Sequence, residues 1–235
     1  MKDQVKDLRC RYRMGNNYEN YQLWQHEFTG RYDFAQIQPC HETVDKLIRF
    51  NDISKCLIPE EFGVHFYVDD YRFRGVWSDP DKYIPALRRF KLVISPDFSW
   101  YDDFPFALKI HASYKKQWLA AYWQRYGINV VPNVRWGEPD TFDWCFDGLP
   151  KHSVVAVSSL GLLKDTYYNG EENNGFEQGY EEMLNRLEPE CVLYYGKFIT
   201  EPNPSVPVIR IPSMFEALRG SNTYGWQQTK KKGVV

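Results

Sequence analysis

The residues best suited to chemistry stand just after apolar runs. Asp97 follows Leu92-Val93-Ile94, and Asp69 and Asp70 close the run that begins at Phe62. Carboxylates at the ends of paired strands converge, and such a set divides acid and base roles or holds Mg²⁺. Asp97 and Asp70 are therefore candidate catalytic groups, and Asp69 with Asp97 a candidate metal pair. The competing reading has Asp97 capping the turn after Pro96, with Asp69 and Asp70 solvated. His111 follows the Asp97 loop and is a third catalytic candidate if its helix turns it toward a cleft.

Arg135 and Trp136 follow the run Ile128-Asn129-Val130-Val131. A guanidinium at a strand end suits bidentate recognition of phosphate or carboxylate, and an indole can stack on a base or sugar. An internal salt bridge from Arg135 to Asp97 or Asp143 is the alternative. Asn133 precedes Arg135 by two residues and shares its side of an extended chain. Ser158 and Ser159, before Leu160-Gly161, are small and polar, and their backbone amides could receive an anion. The stretch lacks the lysine of a phosphate-binding loop and the glycines of a dinucleotide fingerprint. Tyr195 and Lys197 flank Gly196 after another apolar run. Lys197 either offsets phosphate charge or is simply exposed.

Strands must carry these residues. Short, β-branched runs almost free of charge read as strands buried on both faces. They fall at 62–68, 92–95, 128–134, 153–158, 192–195 and 206–211, the last at a sheet edge because of Pro207. Helical spacing appears at 42–50, 82–89, 105–126, 176–187 and 213–218. In the helix 105–126, Phe106, Ile110, Tyr114, Trp118 and Tyr122 share one face, while Lys109, Lys116 and Gln117 fall mostly elsewhere. Gly127 ends it. The alternation predicts an α/β fold with a mostly parallel sheet, or a partial (β/α) barrel of about six strands. In such folds ligands sit at the carboxyl ends of the strands. Residues 1–51 read as a polar, aromatic arm wrapped over the main domain, residues 52–219 as that α/β domain, and residues 220–235 as a flexible basic tail. The polar loop 164–175, with Tyr167 and Tyr168, is long for a compact domain, as functional loops are. His65, inside its apolar run, reads as a hydrogen-bonded core histidine rather than a ligand.

With a formal net charge of -2 over 235 residues, no global field favours nucleic acid or an anionic membrane. Five cysteines without paired spacing, and no leader segment, point to reduced thiols in a cytoplasm. Cys10, Cys40, His41 and Cys56 match no zinc spacing. No run approaches the roughly 20 apolar residues of a membrane span. Aromatic residues make up 17% of the chain, more than a core usually needs, so a stacking surface competes with a Tyr- and Trp-rich core as their role.

Several stretches together resemble a known family: Ser95-Pro96-Asp97-Phe98-Ser99, Pro132-Asn133-Val134-Arg135-Trp136, Phe146-Asp147-Gly148-Leu149-Pro150, Val157-Ser158-Ser159-Leu160-Gly161 and the run Pro189 to Gly196. They are similar to the domain of unknown function DUF4417, over about Gly63 to Phe198. The resemblance implies a cytoplasmic protein carried by bacteriophages or other mobile genetic elements. It brings no catalytic residues.

Three functions fit the pattern. One is binding or hydrolysis of a nucleotide or other phosphorylated small molecule at the strand ends, with Mg²⁺ as a possible cofactor. The second is an accessory factor without catalysis, binding DNA or a host protein through the arm and the basic tail. The third uses Trp100, Trp136 and acidic residues for sugar stacking and paired carboxylates. Whether the protein is an enzyme stays open at this level.

Overall fold

The structure, a computed structural model, describes residues 27–160, 174–199 and 201–219. The turn expected at 14–17, Cys10, most of the loop 164–175 and the basic tail lie outside them. The strands are β1 (Phe28–Thr29), β2 (Phe34–Ala35), β3 (Leu47–Arg49), β4 (Gly63–His65), β5 (Leu92–Ile94), β6 (Val130–Val131), β7 (Val154–Ser158), β8 (Cys191–Tyr195) and β9 (Val208–Ile211). The α-helices are α1 (Gly75–Ser78), α2 (Ile84–Leu87), α3 (Phe106–Gln124), α4 (Asn174–Leu187) and α5 (Met214–Arg219).

The fold is α/β, as the alternation of apolar runs and helical segments predicts. Strands β3-β4-β5-β6 form one parallel sheet and β7-β8-β9 a second. A parallel bridge between Asn133 and Ala156 joins them. The join depends on Pro132. Having no N–H, it cannot continue the ladder toward β5. The chain changes partner there: the Ala156 amide donates to the Pro132 carbonyl at 2.9 Å, and the Val134 amide to the Ala156 carbonyl at 2.8 Å. Strand order therefore follows chain order. The ladder does not close among the described residues; β3 and β9 are its edges.

The segment 42–50 corrects the sequence reading. Val44, Leu47 and Ile48 have helical spacing, yet Leu47–Arg49 is a strand, pairing Ile48 with Val64, and the helical turn that follows is 3₁₀, over Phe50–Lys55. A three-residue strand is too short for its period to be told from a helix. The stretch 82–89 likewise forms only short turns, Asp81–Tyr83 and Ile84–Leu87. Residues 27–51 bury Phe34, Ile37, Leu47 and Phe50 in the core.

Successive strand residues face opposite ways. One face gathers Leu47, Leu92, Ile94, Val131, Ala156 and Leu193 into an inner cluster. The other packs Ile48, Val64, Val93, Val130, Val155 and Val192 against the helices. Helix α3 departs from its expected polarity. Lys109, Lys116 and Gln117 are buried, while Phe106 and Leu108 are about half exposed. Gly127 closes it with φ +75°, where a side chain would be strained. Cys40, Cys56, Cys145 and Cys191 are unbonded thiols.

Candidate functional site

At the carboxyl ends of the central strands a second set of residues gathers. Alternation brings His65 at the end of β4, Tyr67 beyond it, Asn133 and Arg135 after β6, and Tyr195 on β8 to the inner face, and Ser95 and Asp97, just after β5, reach the same set through Asn133. They form one connected system. The Ser95 hydroxyl oxygen accepts from the Asn133 amide at 2.8 Å. The Asn133 side chain donates to Asp97 Oδ1 at 2.8 Å and accepts from the Tyr67 hydroxyl at 3.1 Å. Arg135 reaches the same Asp97 oxygen at 3.5 Å and donates to the Trp100 carbonyl at 2.7 Å. Its guanidinium stands 5.3 Å from the centre of the Trp100 ring, and Lys109 approaches that ring at 5.8 Å.

Lys116, on α3, lies within electrostatic reach of Asp97 and Arg135. Its side chain is buried, and burial lowers its pKa to about 8, against the pull of the Asp97 charge. Burial likewise raises the neighbouring Cys145 thiol to about 12, an inert form. Around Asp97 the cluster thus holds Arg135 in direct contact, with the Lys116 charge within electrostatic reach. Asp97 keeps 19% of its side-chain surface and Arg135 27%, so solvent reaches both.

Two aromatic groups wall the inner side. The Tyr67 and Tyr195 rings stack at 5.1 Å. Burial, followed by the nearby Asp97 charge, pushes the Tyr67 phenol well above its usual range. His65 lies beside them, 4.6 Å from the Tyr195 ring, its Nδ1 accepting from the Tyr67 amide. Burial lowers its pKa to about 3, so it is neutral at physiological pH. The core-histidine reading of His65 agrees with this.

Other candidates go elsewhere. Asp70 accepts from the Ser99 amide at 3.2 Å and from its hydroxyl at 2.8 Å, bracing the loop after Asp97 rather than facing a ligand. Asp69 is mostly in solvent, paired with Arg72 at 3.3 Å, so the expected Asp69–Asp97 pair is replaced by two separate ion pairs. Among the described residues no three His, Cys, Asp or Glu side chains gather as a metal-ligand set. His111 lies against Trp77, with ring centres 6.4 Å apart, on a different side of α3. Trp136 points away from Arg135 and packs against Phe176 at 5.2 Å and Tyr180 at 6.4 Å. Trp100 is only 2% exposed, which leaves no open ring face for a sugar.

Ser158 Oγ accepts from the Leu160 amide, whereas Ser159 is buried against Gly196. Lys197 is exposed. The Tyr195 hydroxyl accepts from the Met214 amide at 3.3 Å. Two open grooves on the described surface, of about 440 and 730 Å³, lie away from the cluster, lined in part by Lys46 and Glu60 and by Arg74 and Trp77 respectively. Neither groove is the shared hollow expected at the rim, where the side chains hydrogen-bond to one another and Asp97 and Arg135 stay partly open to solvent. Sequence reading missed Tyr67, Ser95 and Lys116. Tyr67 was signalled by its two-residue step from His65; nothing in the local sequence signals Lys116.

Together these features define an α/β protein whose curled parallel sheet carries a polar, cation-rich cluster at the carboxyl ends of its central strands. The chain belongs to the family described as domain of unknown function DUF4417, whose model matches residues 26–210. It is 35% identical over 167 residues to the Gene 1 protein of Mycobacterium phage D29, covering 71% of this chain and 60% of that protein. It is 36% identical over 148 residues to the Gene 1 protein of Mycobacterium phage L5, covering 63% of each. The chain thus spans less than two thirds of the length of these curated phage relatives. No solved structure matches it. Among the described residues no helix is long and apolar enough to cross a membrane.

Proposed function

We propose that the cluster around Asp97 binds a small phosphorylated ligand of the nucleotide class. One observation carries this reading: Arg135 contacts Asp97 at the strand ends, and the buried Lys116 lies within electrostatic reach of both. That surplus of positive charge favours an anion, and in a poorly solvated site the attraction is far stronger than in water. Arg135 holds Asp97 and Trp100 through two of its nitrogens, leaving further N–H groups for a phosphate oxygen. Asn133, anchored by Tyr67 and Asp97, fixes the floor. The reading is binding rather than hydrolysis. The second acid near the rim, Asp70, is bonded to Ser99, so among the described residues no pair of carboxylates faces the rim to divide acid and base roles.

Thermal unfolding of the full chain with inorganic phosphate, pyrophosphate, AMP and ATP tests this, each with and without Mg²⁺. A ligand at 100 times its Kd adds about 2.7 kcal/mol of stability. At least one of these anions is expected to raise the melting temperature of the parent, and Arg135→Ala to abolish the rise. No stabilisation by any of them would overturn the proposal.

A further inference from the structure

We propose that the groove between residues 70–78 and the outer side of α3 binds single-stranded nucleic acid. The groove has a volume of about 730 Å³ and is lined by Tyr71, Arg72, Arg74, Trp77, Phe98 and Lys115 among others. That volume falls in the range of roughly 300–1,000 Å³ typical of ligand sites. Two cations stand beside aromatic rings in it. Tyr71 is 64% exposed, with the Arg72 guanidinium 5.1 Å from its ring centre. Lys115 stands 4.1 Å over Phe98, whose ring is buried beneath it. Trp77 is held edge-on by Trp118 at 5.6 Å, which fixes its plane at the groove wall.

Cations outnumber acids in the lining: Arg72, Arg74 and Lys115 stand against Asp70. Asp69 pairs with Arg72, so those two charges offset each other, and Arg74 and Lys115 stand against Asp70, which keeps its charge while bonded to Ser99. The lining therefore carries a small excess of positive charge on a chain whose net charge is -2. The wall also has a shape requirement at Gly75, where a Cβ would meet the Tyr83 hydroxyl oxygen at 2.5 Å. Tyr71 supplies an exposed ring beside a cation, as proteins that hold unpaired strands do. Bases stack on the rings whatever their sequence, and phosphates follow the positive charge. A duplex hides its base faces, and an acidic peptide has no flat rings for Tyr71 to hold. None of Asp97, Asn133 or Arg135 lines this groove, so the inference stands apart from the strand-end site.

Fluorescence anisotropy with the full chain and a labelled oligothymidylate of about 12 nucleotides tests it. The parent is expected to bind at low salt and to release the strand as salt rises. The double variant Arg74→Ala, Lys115→Ala should bind more weakly, with a salt slope shallower by about 0.7 for each phosphate that is no longer neutralised. Tyr71→Ala should weaken binding by about tenfold because one base no longer stacks. Arg135→Ala should leave this binding unchanged, separating it from the strand-end reading. All these positions reach solvent, and a melting curve for each variant checks that the fold is kept. The proposal is overturned by no binding at low salt, by the groove variants binding like the parent, or by a duplex binding as tightly as the single strand. Displacement by oligoglutamate as readily as by unlabelled strand would also overturn it, in favour of an acidic peptide.

Discussion

The ring of His65, at the end of β4, lies 4.6 Å from the ring of Tyr195, at the end of β8, although β5, β6 and β7 stand between them in the ladder. In a flat sheet, four steps of about 4.8 Å would hold their backbones roughly 19 Å apart. The sheet is therefore strongly curled, with its inner face closed over aromatic rings. This curl brings Tyr67 and Tyr195 together beside Asn133 and Asp97, and so creates the rim cluster.

The same curl keeps His65 dry, which gives stability a specific pH dependence. His65 titrates at about 3 in the folded state against an ordinary value of 6.5. Between those values the unfolded chain binds the proton and the folded chain does not, so stability rises with pH there and is lost as pH falls through the window. The slope from this residue is about 1.4 kcal/mol per pH unit. Urea unfolding from pH 7 down to pH 4 should show the parent losing stability faster than His65→Gln. Parallel pH curves would mean that His65 is not held neutral.

Lys116 works in the opposite range. Its folded pKa of about 8 lies below the ordinary 10.5, so at neutral pH the buried amine is charged and costs stability. That cost is present in full below pH 8 and is relieved between 8 and 10.5, where the folded amine is neutral while the unfolded one keeps its proton. Lys116→Met is expected to stabilise the chain at pH 7 by about 3 kcal/mol. The gain should shrink as pH approaches 10. Denaturant midpoints at both pH values check it.

Two glycines of α4 carry opposite predictions. A Cβ at Gly179 would sit 2.0 Å from the Trp136 indole, whereas one at Gly175 would meet nothing within 4 Å. Gly179→Ala is expected to cost about 1–3 kcal/mol by forcing Trp136 and its aromatic neighbours apart. Gly175→Ala should add about 0.5–1 kcal/mol by favouring the helix. Chemical denaturation of the two single variants measures both.

The core strands were legible because burial on both faces demands unbroken apolar runs: Val154–Ser158 and Cys191–Tyr195 lie within a residue of their expected spans. The shared side of Asn133 and Arg135 was legible too, because two-residue alternation survives at a strand end. The strand Leu47–Arg49 was not, since three residues carry no decisive period. Lys116 was hidden because α3 is packed on most sides: its polar residues are buried beside Trp118 and Leu119, and a helical wheel reads them as solvated. The Asp69–Asp97 pairing failed for a local reason, Arg72 lying three residues from Asp69. Proximity of strand ends does not say which carboxylate turns inward.

The most direct test of the strand-end site is a calorimetric titration with ATP at pH 8, in two buffers of different ionisation enthalpy. An anion beside Lys116 stabilises its protonated form, so binding near its pKa of about 8 should take up a fraction of a proton. The account predicts saturable binding whose heat depends on the buffer in the parent, and loses that dependence in Lys116→Met. Absence of binding, or the same proton uptake in the variant, would contradict it.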